Sequence, residues 1–155
     1  MPGFEKRLDQ KTAWSLVDYI RAIGSARAIA LPSPDGQVPP VRAPQMQIAC
    51  DGKHYDPGQP SEAFTLVTVE AETLRTDLVD ASGNIHACTV SDQTALSVYA
   101  LLIRPSGSAS LLIDRGGWVR FRWPSARAVS PQALAVAIKK ANDAPVTNRK
   151  GGHHT

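Results

Sequence analysis

The two cysteines are the residues of this sequence with the widest choice of chemistry. Cys50 and Cys88 are the only thiols in 155 residues, and they lie far apart in the chain. Three alternatives stay open for them: small buried apolar side chains, a disulfide with each other, or a metal-binding or redox role. A disulfide between them would close a loop of about 40 residues and stabilise the fold by a few kcal/mol.

A histidine close to Cys88 suggests a metal site. His86 and Cys88 stand at positions i and i+2, so on a strand their side chains share a face. An imidazole nitrogen and a thiolate sulfur together suit copper. The pair is therefore a candidate set of copper ligands, and Cys50 with His54 is a weaker one.

The overall composition is that of an ordinary soluble globular protein. Apolar residues make up 43% of the chain, charged residues make up 20%, and the net charge is +3. The basic residues are scattered except for two small groups, so we expect no nucleic-acid partner. The first group is Arg120, Arg122 and Arg127, and the second is Lys139, Lys140, Arg149 and Lys150. The sequence has no apolar run of about 18 residues, so we expect membrane contact only through a fused or partner protein.

The periodicity of residues 10–23 predicts an amphipathic helix. Asp9 is the predicted N-cap and Gly24 the predicted stop. Because an isolated helix of this length is not stable, we expect it either to fray or to dock on the domain that follows it. The apolar stripe of the helix consists of Ala13, Leu16, Val17, Ile20 and Ile23.

Composition divides the rest of the chain into a linker, a second unit and a tail. Residues 25–42 are rich in Pro, Gly, Ser and Ala, which predicts an extended linker. Residues 43–142 hold the second unit. We expect the polar residues 143–155 to form a disordered tail.

The second unit is predicted to be an α/β domain of thioredoxin-like arrangement. Its elements follow the order of a leading hairpin and then β-α-β-α-β-β-α, which predicts a mixed sheet with flanking helices. The predicted elements are a hairpin at Asp51-Gly52, a doubly buried strand over 63–69, a helix over 70–80, a strand over 84–90, a helix over 93–103 capped by Ser91 or Asp92, strands over 110–114 and 118–123, and a closing helix begun by Ser130-Pro131.

Alternation along the last strand assigns its side chains to two faces. We expect one face to carry Val119, Phe121 and Trp123. The other would carry Trp118, Arg120 and Arg122 toward solvent, where the arginines form a solvated edge or meet an acidic partner.

The first residues carry a resemblance to a known family. Met1-Pro-Gly-Phe4, Leu8 and the segment Trp14-x-Leu-Val-x-Tyr-Ile-Arg21 resemble the C-terminal end of class I c-type cytochromes. The resemblance implies that residues 1–24 are the end of such a domain. Met1 would then stand at the position of the distal haem ligand, and Trp14–Arg21 would form the final helix, which packs on the haem-attachment helix. Because the chain has no C-x-x-C-H, haem c is expected only in an upstream domain.

A second resemblance covers residues 43–142. Ala43-Pro44 before Asp51-Gly52 resembles the opening hairpin of the peroxiredoxin and TlpA-like branch of thioredoxin-like proteins. Residues 111–123 resemble the hairpin "L-I-D-R-x-G-x-x-R-x-R-W" of that branch. The likeness is greatest to the domain fused to cytochrome c segments in some bacterial copper-resistance proteins of the CopD type. It implies a location that is either periplasmic or membrane-associated facing the periplasm, with roles in copper handling or electron transfer.

The catalytic residues of the thioredoxin-like family are missing. The place of its C-x-x-C is Glu70–Arg75, which holds no cysteine, and the place of its cis-proline reads Ser108–Ser110. We therefore expect no dithiol catalysis. The sequence predicts a redox-inactive interaction or assembly module, partnered by an upstream cytochrome c domain or another periplasmic protein. The alternative is a copper-binding or thiol–disulfide redox domain that uses Cys50 and Cys88.

Overall fold

In the described part of the chain, seven strands form one mixed sheet with helices on both faces. The computed structural model describes residues 9–50, 53–69, 78, 85–90, 92–103, 109–125 and 129–147. The strands are β1 (Gln37–Arg42), β2 (Ile48–Cys50), β3 (Lys53–Tyr55), β4 (Phe64–Val69), β5 (Ile85–Thr89), β6 (Ala109–Ile113) and β7 (Trp118–Trp123), and the helices are α1 (Gln10–Ala28), α2 (Gln93–Leu102) and α3 (Pro131–Asp143). Across the sheet the strand order is β1-β7-β6-β4-β5-β2-β3.

The central strand β4 organises the sheet. All six of its residues are buried, as its unbroken apolar and β-branched sequence predicts. It pairs parallel with β5 and antiparallel with β6. The hairpins β2–β3 and β6–β7 complete the mixed sheet, so the predicted α/β class with flanking helices is confirmed. The predicted turn at Asp51-Gly52 and most of the predicted helix over 70–80 lie outside the described residues.

Two apolar layers cover the two faces of this sheet. Val67 and Val69 of β4 pack in the layer that contains α1 and α2. Phe64 and Leu66 pack in the layer of α3, because successive side chains of a strand point to opposite faces. None of the helices in these described ranges has the length and apolar character needed to cross a membrane.

Each described helix begins at a side-chain cap that the sequence predicts. The Asp9 carboxylate accepts a hydrogen bond from the backbone N–H of Thr12 at 2.7 Å. Hydrogen bonds from the side chain of Thr12 and then from its backbone N–H lower the pKa of Asp9 below its ordinary value. Asp92 and Ser130 accept in the same way from the N–H three residues further along, at 3.0 Å each. These caps satisfy amide groups that have no partner inside the helix.

The predicted stop at Gly24 and the predicted linker over 25–42 are wrong. Helix α1 continues through Gly24 to Ala28 because its end is fixed by Ile29, which is fully buried. Residues 37–42 are not a free connection but the edge strand β1, paired antiparallel with β7. The two prolines of β1 lack an N–H, and an edge strand with a register irregularity tolerates that loss.

A β-bulge in β7 changes the faces predicted for its side chains. Leu112 pairs with Phe121 and Ile113 pairs with Val119, so Arg120 is an extra residue in the ladder. Val119 therefore packs toward α1 and α2, while Phe121 packs toward α3. The prediction of one shared apolar face in this strand is wrong for that reason.

The solvated arginine edge predicted for this strand is also wrong. Arg120 is 5% exposed and lies on the side of α3. It forms an ion pair with Asp114 at 3.0 Å and donates hydrogen bonds to the carbonyl oxygens of Ala141 and Ala144. Ala144 is the C-cap of α3, so Arg120 satisfies carbonyl groups at the end of that helix.

Arg122 has the same role on the opposite face. It is 4% exposed and donates to the carbonyl oxygens of Ile29 at 3.0 Å and Ile103 at 2.7 Å. These residues are the C-caps of α1 and α2. A cation at the C-terminus of a helix also interacts favourably with the helix dipole. Burial lowers the pKa of Arg122, because removing the charged guanidinium from water costs free energy. The hydrogen bonds to the two carbonyl oxygens offset this cost.

Replacing Arg122 with Met should lower the free energy of unfolding by about 3 kcal/mol, since two charged hydrogen bonds are lost and two buried carbonyls lose a donor. Chemical denaturation measures the change. The matched control is Arg27→Met, an exposed arginine of α1, which should shift stability by no more than about 0.5 kcal/mol. Equal effects of the two substitutions would contradict the capping role.

Candidate functional site

The structure joins Cys50 and Cys88 by a disulfide. Cys50 ends β2, Cys88 lies in β5, and the two residues stand directly opposite each other in the antiparallel ladder. Their Cα atoms are 4.1 Å apart. Antiparallel pairing alternates between wide and narrow residue pairs, and a narrow pair brings facing side chains side by side. The sheet register therefore places the two sulfur atoms together.

This disulfide is shielded from solvent. Cys50 is 4% exposed, and Cys88 is fully buried in the layer that contains α1 and α2. Hairpin β2–β3 reaches the rest of the sheet through the pairs Ala49–Thr89 and Cys50–Cys88. The disulfide thus fastens a short hairpin to the main sheet by a covalent bond, which is the role of a staple.

The candidate copper ligands lie near this bond. His86 shares the Cys88 face of β5, and its ring packs against that of Tyr55 with the ring centroids 5.1 Å apart. His54 pairs with Ala49, so it lies on the face opposite Cys50. In the disulfide form Cys88 has no thiolate to pair with His86. Among the described residues no three His, Cys, Asp or Glu side chains are grouped to hold a metal ion.

Helix α1 presents an apolar surface to solvent. We call this surface the outer face, and it consists of Leu16, Tyr19, Ile20 and Ile23, which are 40–60% exposed. Trp14, 57% exposed, lies beside it. Large apolar side chains that cluster on one exposed helix face mark interaction surfaces more often than isolated ones do.

The opposite side of α1 is the one that packs on α2. Ala22, which is 3% exposed, and the fully buried Ile29 share an apolar layer with α2, and Asp18, Ser25 and Ala26 of α1 are half-buried. Contact between α1 and α2 is extensive along this side. Small side chains let the two helices approach closely, so α1 is attached while Leu16, Ile20 and Ile23 of its apolar stripe stay exposed.

The sequence identifies the apolar stripe of α1 but not its direction. Of the predicted stripe, Leu16, Ile20 and Ile23 face solvent, while Ala13 and Val17 are half-buried. Ala22, Ser25 and Ala26, which are buried or half-buried, are small or polar, and periodicity does not single them out. Of the two predicted outcomes for this helix, the structure shows docking on the second unit.

Other predicted positions lie outside the described residues. They are Met1, the segment Glu70–Arg75 where the family's C-x-x-C would stand, and Ser108. Ala109 and Ser110, the remainder of the stretch compared with the cis-proline position, begin β6 and are buried.

A comparison of the chain with protein-family models, curated proteins and solved structures finds no match.

Removing the disulfide should cost about 3–4 kcal/mol of unfolding free energy, the chain-entropy value for a loop of this length. The double variant Cys50→Ala/Cys88→Ala and the reduced wild-type chain should lose similar amounts in denaturant titrations. Unfolded wild-type protein purified without reductant should show no reactive thiol. If two thiols react with a labelling reagent before reductant is added, the two cysteines are not joined by a disulfide and the prediction is wrong.

Proposed function

We propose that the chain is a redox-inactive, thioredoxin-like module of the periplasm that serves protein interaction beside a c-type cytochrome. The observation that carries the proposal is the outer face of α1, an apolar helix surface left exposed while the same helix is firmly attached through its other side. A helix with two sides suited to packing fits between two protein units. The sheet domain is one of these units, and the partner is the other.

The topology supports a thioredoxin-like arrangement. The four strands β5-β4-β6-β7 are adjacent in that order, with β4 and β5 parallel and β6 and β7 antiparallel to their neighbours. Helix α2 connects β5 to β6 on one face, and α3 follows β7 on the other. The sequence predicts these elements in the same order along the chain. Because a fold does not fix a function, the activity has to be argued from the surfaces.

The outer face of α1 supports the cytochrome partner. By resemblance, Trp14–Arg21 is the last helix of a class I c-type cytochrome, and such a helix packs its apolar stripe on the haem-attachment helix. Within the outer face, Leu16, Ile20 and Ile23 follow each other at spacings of four and three residues, the spacing with which one helix packs along another. In this account α1 belongs to two domains. Its inner side packs on the sheet domain, and its outer face packs on the cytochrome domain.

The disulfide supports an exported location. Cross-links of this kind persist in the periplasm and other oxidising compartments, whereas cytosolic reductants keep thiols reduced. The alternative function, copper binding or thiol–disulfide exchange through Cys50 and Cys88, first requires reduction of a bond shielded from solvent. We therefore place it second. It predicts Cu(I) binding by the reduced chain that is lost in Cys88→Ala.

Fragment complementation tests the cytochrome partner. The probe is a class I cytochrome fragment that carries covalent haem c but lacks its last helix. Adding the whole chain should bind this fragment and change its Soret absorption. Ile20→Glu should weaken binding about a hundredfold, because a carboxylate would enter an apolar helix contact.

The matched control is Val136→Glu. Val136 lies on α3 and is 51% exposed, close to the 60% of Ile20. It should leave binding unchanged. Absence of binding at high micromolar concentration, or equal weakening by both variants, would refute the cytochrome partner. Sedimentation of the chain alone measures self-association. Self-association that is abolished by Ile20→Glu would show that the outer face binds a second copy of the chain, and this result would count against the proposal.

A further inference from the structure

A concave cleft lies where α1 meets the segment that follows β1. Its volume is about 350 Å³, within the range of small-molecule sites. The α1 side is formed by Asp18, Arg21 and Ala22. Arg42, Ala43, Pro44 and Gln45 form the other side. The cleft is separate from the outer face of α1 and from the disulfide.

Among the described residues, a carboxylate and arginine side chains line this cleft without forming contact ion pairs with each other. Arg21 and Asp18 lie one turn apart on α1 and interact electrostatically, yet neither makes a hydrogen bond or a contact ion pair within the described ranges. Arg21 is exposed, and Asp18 is half-buried. Charged groups that line a concave surface can bind a ligand group of opposite charge.

The guanidinium of Arg42 is held in place on the far side. One of its Nη atoms donates to the carbonyl oxygen of Gly116 at 2.7 Å, and the group lies 4.5 Å from the centre of the Trp118 ring. An arginine has five N–H donors in a planar fork. In the described part of the structure only one of these N–H groups is used. The other N–H groups can donate hydrogen bonds to a carboxylate, and their direction is fixed because the guanidinium is held in place.

A second carboxylate adds negative potential near Asp18. Burial, and to a smaller extent the charge of Asp18, raises the pKa of Asp56 above its ordinary value. Burial also raises the pKa of Asp18. The two carboxylates therefore lie close enough to repel each other, and a cationic group placed beside Asp18 would relieve that repulsion.

We propose that this cleft binds a small zwitterion, a ligand that carries a carboxylate and an ammonium group as free amino acids and short peptides do. The carboxylate binds between Arg21 and Arg42, and the ammonium group binds Asp18. Ala43 and Pro44, both buried, supply an apolar floor for a small side chain. A dianion such as phosphate is disfavoured because Asp18 stands beside the two arginines.

Titration of the isotope-labelled full chain with the dipeptide alanyl-alanine tests the proposal. Backbone amide resonances of residues 18–22 and 42–45 should shift and saturate. N-acetyl-alanyl-alanine, without the ammonium group, and alanyl-alanine amide, without the carboxylate, should each bind about tenfold more weakly or worse. Equal binding by all three compounds, or no saturable shift up to 50 mM (roughly the weak limit of such contacts), would overturn it.

Two substitutions localise the site. Asp18→Asn and Arg21→Met should each weaken binding about tenfold, since each removes one charged contact. Arg27→Met is the control, because Arg27 is exposed on the same helix but lies outside the cleft. Denaturation midpoints establish that all three variants are folded. Unchanged affinity in both Asp18→Asn and Arg21→Met would show that the dipeptide binds elsewhere.

Discussion

The ends of all three described helices depend on two arginines of one strand. The last carbonyl groups of a helix have no partner inside it, and they must find donors when they are buried. Arg120 supplies donors to the end of α3, and Arg122 supplies them to the C-caps of both α1 and α2. The bulge in β7 makes this arrangement work, because it turns two side chains of one strand toward opposite layers.

The attachment of α1 follows from this constraint and leaves its apolar stripe free. Arg122 fixes the C-terminal end of α1, and small residues such as Ala22 pack against α2. The stripe of Leu16, Ile20 and Ile23 therefore points away from the sheet. At the other edge of the sheet, the Cys50–Cys88 bond fastens the hairpin β2–β3. The result is a domain that displays one apolar helix face, and the proposed interaction role rests on that face.

The sequence predicts local features well and long-range ones less well. Helix caps at Asp9, Asp92 and Ser130, the buried strand β4 and the hairpin β6–β7 all follow from residue types within a few positions of each other. The bulge at Arg120 depends on pairing with β6, so alternation alone assigns the arginines to solvent. The direction of α1 depends on which of its sides fits α2, and hydrophobic periodicity favours the wrong side. The disulfide was one of three open alternatives because its formation depends on sheet register.

Amide hydrogen exchange along α1 in the wild-type chain tests most directly whether its inner side holds it on the sheet while the outer face is free. The account predicts slow amide exchange over residues 22–28, approaching the rate set by global unfolding. The reason is that this half of α1 packs in one layer with α2, and the carbonyl oxygen of its C-cap accepts a hydrogen bond from Arg122. Exchange at unprotected rates throughout residues 10–28 would show that α1 is detached, and it would contradict both the capping role of Arg122 and the shared-helix function.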